Sequence, residues 1–594
     1  MSQPKAKATL EREEPRVGFL TLLSLVIGFV ASYIAFVLYH LIGLVTNAFY
    51  YSRLSFSFAS PQFSHLGPLA IALPVVGGLI AGLMIKYGST KIIGHGIPET
   101  MESILVERSK ISPKVGILKA VSAAVTIGSG QPFGAEGPII QTGGAFGSFV
   151  GQVVSMTGTE RRVLLATGAA AGMAATFGTP VAGILLAVEL LLFEFRVKSL
   201  VPVAVGSAIG GWMHIYLISP QPLFQTPAYG FGGLATLPFY AGLGLLCGVL
   251  GSALSRGLYQ AESAFSKLKV GQPWLPAIGG LAVGVIGFGA PQVLGVGYNV
   301  ISSILNGQFA VDIVLVILVA KSAAWLLAMG SQTSGGTLAP LFMIGGSSGY
   351  LFGMWAAALL PSLGVGPGAF AIAGMAAVFG AASRAPLTSI VFALEVTRDF
   401  QGAMPVIVTV AVAGVVGEVL MEDSIMTERL ARRGLRVRNI YEYNPLRQVS
   451  IGAIMSAPVV CVEADRTVTE IKRWMEDPGH PYSMKKRLVV VSDGRAVGVL
   501  EKAITESALA DGTTARDVCS RDFEAMPQEE SAYYALRRMA LRNVSFVVVT
   551  DSEDKVVGYL SRGDLVGALR NKVEDETIVE RRGFSRAADN PALV

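Results

Sequence analysis

Apolar stretches recur along the first 420 residues, at 18–46, 67–86, 163–190, 199–217, 235–255, 274–291, 311–329, 339–360, 369–380 and 404–421. A helix crossing a hydrocarbon core needs ~20 apolar residues. Several stretches reach that length, and others fall short or are broken by Gly or Pro. Short, interrupted stretches predict tilted and discontinuous helices, the pattern of transporters and channels rather than of simple anchors. Near residue 430 the pattern changes. The later chain is charged and holds no stretch able to span a bilayer. Valine-rich runs there, RLVVVSDGRAVGVLEKAI and SFVVVTDSEDKVVGYLSRGDL, each carry an acidic turn and lead toward a helix, an α/β pattern.

The apolar region repeats itself. GSGQPFGAEGPIIQTGGAFGSFVG at 128–151 is matched by GSQTSGGTLAPLFMIGGSSGYLFG at 330–353. GTPVAGILLAVEL at 178–190 is matched by RAPLTSIVFALEV at 384–396. Ordered matches about 200 residues apart predict two related halves of one bundle. The soluble region has its own pair, beginning at SIGAIMSAPVVCVEADRTVTEIKRWM and at TTARDVCSRDFEAMPQEESAYYALRRM.

The repeat isolates one residue. Glu136 stands two positions before Pro138, whereas Leu338 stands two positions before Pro340. The local fold therefore does not require a carboxylate there. A charge in hydrocarbon costs about 2.5–3.5 kcal/mol on insertion scales, which makes a lone intramembrane Glu a functional candidate. The glycines around it permit irregular backbone whose N–H groups converge, and proline suits the first turn of the helix that follows. A buried helix start of this kind favours an anion. The carboxylate can fill such a site as a tethered competitor and vacate it by swinging out or taking a proton. It can also be a plain N-cap. GHGIPETMESIL at 94–105 and GGTLAPLFMIGG at 335–346 share the design, so three glycine-proline starts are expected to converge. His95 is a hydrogen-bond donor to an ion or the partner of a buried carbonyl.

Composition agrees with this division. Hydrophobic residues make up 52% of the 594, charged residues 15%, and the chain has 69 glycines; mean hydropathy is +0.55. A soluble chain of this length needs more charge to cover its surface. MSQPKAKATLEREEPR does not have the form of a secretory signal and is expected to be a cytoplasmic tail. The basic cluster RLARRGLRVR at 429–438 follows the last apolar stretch, which places the C-terminus in the cytoplasm. Cys247, Cys461 and Cys519 are far apart and show no metal spacing, so buried or free thiols are expected.

These motifs resemble the CLC family of chloride channels and proton-coupled chloride antiporters. They occur in family order: GHGIP, GAEGP, GGTLAP and the two Pro-containing helices. The soluble pair is similar to tandem CBS domains. The resemblance implies an all-α polytopic membrane protein with inverted-repeat halves and discontinuous helices, followed by an α/β CBS pair. The expected domains are a tail at 1–16, a membrane domain at 17–430, CBS units at 431–508 and 509–575, and a polar tail at 576–594. It further implies a homodimer in the plasma (inner) membrane, each subunit with its own anion pathway, in contact with lipid and with no nucleic-acid partner.

Residue by residue, Glu136 matches the family's gating glutamate and proton acceptor. Gly94, His95, Gly96, Ile97, Pro98, Ala135, Gly137, Thr337, Leu338 and Met426 match its anion-coordinating positions. The departures are His95 for a serine, Ala135 for an arginine, Leu338 for a phenylalanine and Met426 for a tyrosine. The inner proton glutamate of coupled members matches Leu190, beside Glu189. Transport of chloride is therefore expected to be channel-like or weakly proton-coupled. A coupled antiporter, or transport of nitrate or fluoride, is the alternative. A divalent-cation transporter with CBS domains fits less well, because Glu136, Glu189 and Glu395 are not adjacent. Nothing marks the chain as an enzyme, and no cofactor or metal is required. The second CBS unit carries the nucleotide signature at Ser561 and Asp564, absent at Glu501 and Ile504 of the first. An adenine nucleotide or a simple dimerisation role are the two readings.

Overall fold

In the computed structural model, residues 16–154, 156–361, 364–433, 446, 449–457, 459–482, 487–501 and 512–569 are described. The expected tail at 1–16 except Arg16, the polar tail at 576–594, the end of the basic cluster at 434–438, and Ile504 lie outside them. The chain forms two compact units that divide between residues 441 and 442.

The first unit is helical throughout. Its first half comprises α1 (Val17–Tyr51), α2 (Ala72–Tyr87), α3 (Ile97–Leu105), α4 (Pro113–Gly128), α5 (Glu136–Val153), α6 (Gly158–Phe177), α7 (Pro180–Leu186) and α8 (Val197–Leu217). A π-helical turn, Ala187–Leu192, extends α7. The second half comprises α9 (Leu237–Ser266), α10 (Trp274–Gly289), α11 (Tyr298–Leu305), α12 (Val311–Gly330), α13 (Leu338–Leu359), α14 (Pro367–Ser383), α15 (Pro386–Thr397) and α16 (Ala403–Leu420), and a short α17 (Glu428–Arg432) follows. Six helices among the described residues are long and apolar enough to cross a membrane. The apolar stretch at 163–190 is not one span. Gly178, with φ +68°, ends α6, and Pro180 starts α7.

The second half repeats the first, helix for helix, and the halves satisfy each other. Glu189 accepts the backbone N–H groups of Leu387 and Thr388 at the start of α15, at 3.0 and 2.8 Å. Glu395 accepts those of Val181 and Ala182 at the start of α7, at 3.0 and 2.8 Å. Each Pro-containing helix thus receives its cap from the other half, as a two-fold relation requires. The first N–H groups of a helix have no partner within it, and proline removes only one of them. Two buried lysines follow the same rule. Lys119 Nζ donates to the carbonyls of Ile92 and Gly94, at 3.0 and 2.6 Å. Lys321 Nζ donates to those of Val293 and Gly295, both at 3.0 Å.

Small residues set how closely the helices pack. A Cβ at Gly168 of α6 would lie 2.1 Å from the Gly143 carbonyl of α5, and one at Gly374 of α14 would lie 2.5 Å from that of Gly345 in α13. These helix pairs touch backbone to backbone.

The second unit holds two small sheets of the same topology. β1 (Cys461–Glu463) pairs parallel with β2 (Arg487–Ser492), which pairs antiparallel with β3 (Arg495–Glu501). β4 (Ala525–Pro527), β5 (Phe546–Thr550) and β6 (Val556–Ser561) repeat the arrangement. Helices Val468–Glu476 and Ala532–Arg542 supply the α part. The three cysteines are free. Burial pushes the Cys461 thiol up to about 11, so it stays protonated and inert at neutral pH.

Gly168→Ala is expected to lower the thermal unfolding midpoint of the purified protein, at a cost of about 1–3 kcal/mol for overpacking. Gly158→Ala, where a Cβ meets nothing within 4 Å, is the matched control and leaves the midpoint unchanged.

Candidate functional site

Three glycine loops meet inside the first unit and pair like strands. Gly94 N–H donates to the Thr333 carbonyl at 2.9 Å, and Gly335 N–H donates back to that of Gly94 at 3.2 Å. On the other side, Gly134 and Gly336 exchange hydrogen bonds of 3.1 and 2.9 Å. The loop before α13 is therefore held between the loops before α3 and α5. Thr126 Oγ1 and Ser122 Oγ of α4 fasten it further through Ser334, at 2.7 and 2.9 Å. This short ladder brings three helix starts from both halves to one place.

Close approach explains the glycines at two of the expected positions. A Cβ at Gly137 would lie 1.8 Å from the His95 carbonyl oxygen, and one at Gly96 would lie 2.7 Å from that of Gly137. Gly96 also has φ +91°, which L side chains rarely adopt. No larger residue fits at Gly96 or Gly137.

Glu136 opens α5 and is 1% exposed. Its carboxylate reaches beyond its own helix. Oε1 accepts the backbone N–H of Leu338 and, at 2.9 Å, that of Ala339. Both belong to the first turn of α13, in the other half. The side chain therefore occupies the positive end of its partner helix. The other oxygen, Oε2, is buried and has no hydrogen-bond partner among the described residues. Helix starts of this kind favour negative charge, and the carboxylate supplies it through Oε1.

The remaining expected residues are distributed as follows. Gly94, His95 and Gly96 form the loop before α3, and Ile97 and Pro98 its first turn. Gly96 N–H is already taken by Glu99 Oε2 at 2.9 Å. His95 is 2% exposed, and its Nδ1 has no partner among the described residues. Ala135 and Gly137 flank Glu136, while Thr337 and Leu338 form the start of α13. Met426 is fully buried on the segment before α17. That segment is pinned by Ile425, whose N–H donates to the Ala382 carbonyl at 3.0 Å and whose carbonyl accepts the Tyr259 hydroxyl at 2.8 Å.

Leu190 is buried in the π-helical turn. Glu189 beside it is fully engaged at α15, where Thr388 Oγ1 also donates to it at 2.6 Å. Ser561 and Asp564 lie in the second unit. Asp564 Oδ2 accepts Ser561 N–H and Oγ–H, both at 2.7 Å, and Oδ1 accepts Ser456 Oγ–H at 3.1 Å.

Two features escaped the sequence reading. Gly295-Val296-Gly297-Tyr298-Asn299 is the second-half copy of Gly94–Pro98 and starts a fourth half-helix, α11. Lys321 is likewise the counterpart of Lys119. The constant interval of about 200 residues points to both, but the fourth start has Asn299 where proline stands in the first. Lys321 sits within an apolar run that reads as an ordinary span.

The voltage gated chloride channel family matches residues 77–418, and the CBS domain family matches residues 515–571. The H(+)/Cl(-) exchange transporter ClcA of Salmonella agona is 34% identical over 376 residues, covering 62% of this chain and 79% of that protein. A slow cyanobacterial Cl-/H+ antiporter of known structure superposes with a TM-score of 0.61 at 26% identity, covering 69% of this chain and 97% of the other. A eukaryotic CLC transporter shares the fold over 92% of this chain and 97% of its own, with a TM-score of 0.58 at 20% identity. With a match over more than half of its length, the chain belongs to the voltage gated chloride channel, or CLC, family of multi-pass membrane anion-transport proteins.

Proposed function

We propose that the protein carries chloride or a similar small anion along a pathway within each subunit of a homodimer, with Glu136 as its gate. The observation that carries this reading is the Glu136 carboxylate on the N–H groups of Leu338 and Ala339. When the side chain leaves or takes a proton, those donors are free for a mobile anion. Exposed apolar side chains such as Trp212, Leu387 and Met404 fit lipid or a second subunit.

Backbone groups dominate the proposed pathway. His95 and Met426 stand where the family usually offers two hydroxyls, so the central anion rests chiefly on peptide N–H groups around Gly94–Pro98, Ala135–Gly137 and Thr337–Leu338. Proton coupling is proposed to be weak or absent. Leu190 cannot carry a proton, and Glu189 is committed to the start of α15. Coupled exchange is the second reading, favoured by the names of the Salmonella and cyanobacterial relatives; a fluoride/proton antiporter of known structure, 25% identical with a TM-score of 0.58, keeps the choice of anion open. In the soluble unit, Ser561 and Asp564 are proposed to meet the ribose of an adenine nucleotide. The ribose would replace the contacts that Asp564 now makes with Ser561 and Ser456.

Glu136→Ala is expected to raise chloride efflux from liposomes containing the purified protein and to flatten its pH dependence; flux and pH response equal to wild type would remove Glu136 as the gate. With a pH probe added, an imposed chloride gradient is expected to drive no sustained uphill proton movement. A fixed proton-to-chloride ratio would select coupled exchange. Calorimetric titration of the full chain with ATP is expected to show binding that Asp564→Ala weakens. Absence of heat in the wild type would leave the CBS pair a dimerisation module.

A further inference from the structure

Away from Glu136, another carboxylate covers a largely buried guanidinium. A cavity of about 530 Å³ opens beside α3, and its wall includes Glu99, Glu262 and Arg429. Arg429, on α17, donates from Nε to Glu262 Oε1 at 3.0 Å, and its Nη2 donates to the same oxygen. Its Nη1 donates to Glu99 Oε1 at 2.9 Å. The arginine side chain is 14% exposed and that of Glu262 15%.

The three groups are anchored unequally. Glu99 is tied to α3 through Gly96 N–H. Glu262, near the end of α9, is held by Arg429 alone among the described residues. Arg429 also packs on the anion loop itself, since a Cβ at Gly94 would fall 2.0 Å from its Nη1. A guanidinium thus has the glycine loop on one face and the cavity on the other, with a removable carboxylate between. The other cations of the wall are paired as well, Lys91 with Glu107 and Arg433 with Glu102 inside the same wall, and Arg432 with Glu428.

We propose that Arg429 is an anion-binding residue of this vestibule and that Glu262 is its tethered competitor. A small monovalent anion entering the cavity takes the place of Glu262 on Nε and Nη2. Glu99 still neutralises the guanidinium, so the anion is held weakly enough to leave, as conduction requires. The site does not depend on Glu136 being the gate.

The test is initial chloride flux against chloride concentration, using the full chain in liposomes. Glu262→Gln keeps the shape, removes the competitor, and is expected to lower half-saturating chloride about fivefold, the scale of a partly exposed ion pair. Arg429→Gln is expected to raise it by a similar factor, Arg429→Lys to restore part of the loss, and Glu262→Gln to have no effect in the Arg429→Gln background. An unchanged or raised half-saturation in a Glu262→Gln protein with wild-type thermal stability overturns the proposal. Should Arg429→Gln fail to fold, Glu262→Gln decides alone.

Discussion

One contact organises the membrane unit: the carboxylate of Glu136, from one half, resting on the first turn of α13, from the other. A charge so deep in an apolar bundle is tolerated only where fixed dipoles meet it. The glycine ladder between residues 94, 134 and 333–336 supplies that condition by holding the helix starts together. The close approach of the two helix starts accompanies it, so near that a Cβ at Gly137 would lie 1.8 Å from the His95 carbonyl oxygen. The acid and its receptor come from different halves, so the site exists only when both halves are assembled.

The same principle recurs at the Pro-containing helices. Buried helix starts leave N–H groups that must be satisfied, and no water reaches them in hydrocarbon. Glu189 and Glu395 settle this by exchange across the two-fold relation. Lys119 and Lys321 do the converse for carbonyls, each bonding two in the turns before α3 and α11. Buried ionisable groups here are thus of two kinds. Some hold peptide groups in place with every polar atom engaged. Glu136 differs, with one oxygen engaged and the other without a partner.

Membership of the CLC family sets the type of activity, anion transport across a membrane. The loop before α3 keeps its glycines, and His95 and Met426 stand where the family resemblance leads one to expect hydroxyl side chains. Glycine geometry is fixed by backbone contact and tolerates no substitution. A hydroxyl ligand is one contribution among several peptide N–H groups and can be replaced more freely.

The membrane region, the two-fold repeat and the special position of Glu136 were legible in the sequence. Apolar length, glycine and proline spacing, and a charge in one copy of a repeat but not in the other are all written directly in the sequence. The α/β character of the soluble pair was legible for the same reason, since runs of valine bounded by acidic turns specify strands without reference to distant residues. Which helix start receives the Glu136 carboxylate was not, because the donors lie about 200 residues away. The fourth half-helix at Tyr298 and the buried Lys321 stayed hidden, since neither has a local signature once proline is replaced and the surrounding run is apolar. Pairings of this kind are decided by the tertiary fold: a backbone N–H carries no trace in the sequence, and only the packed bundle determines which one faces a given acid.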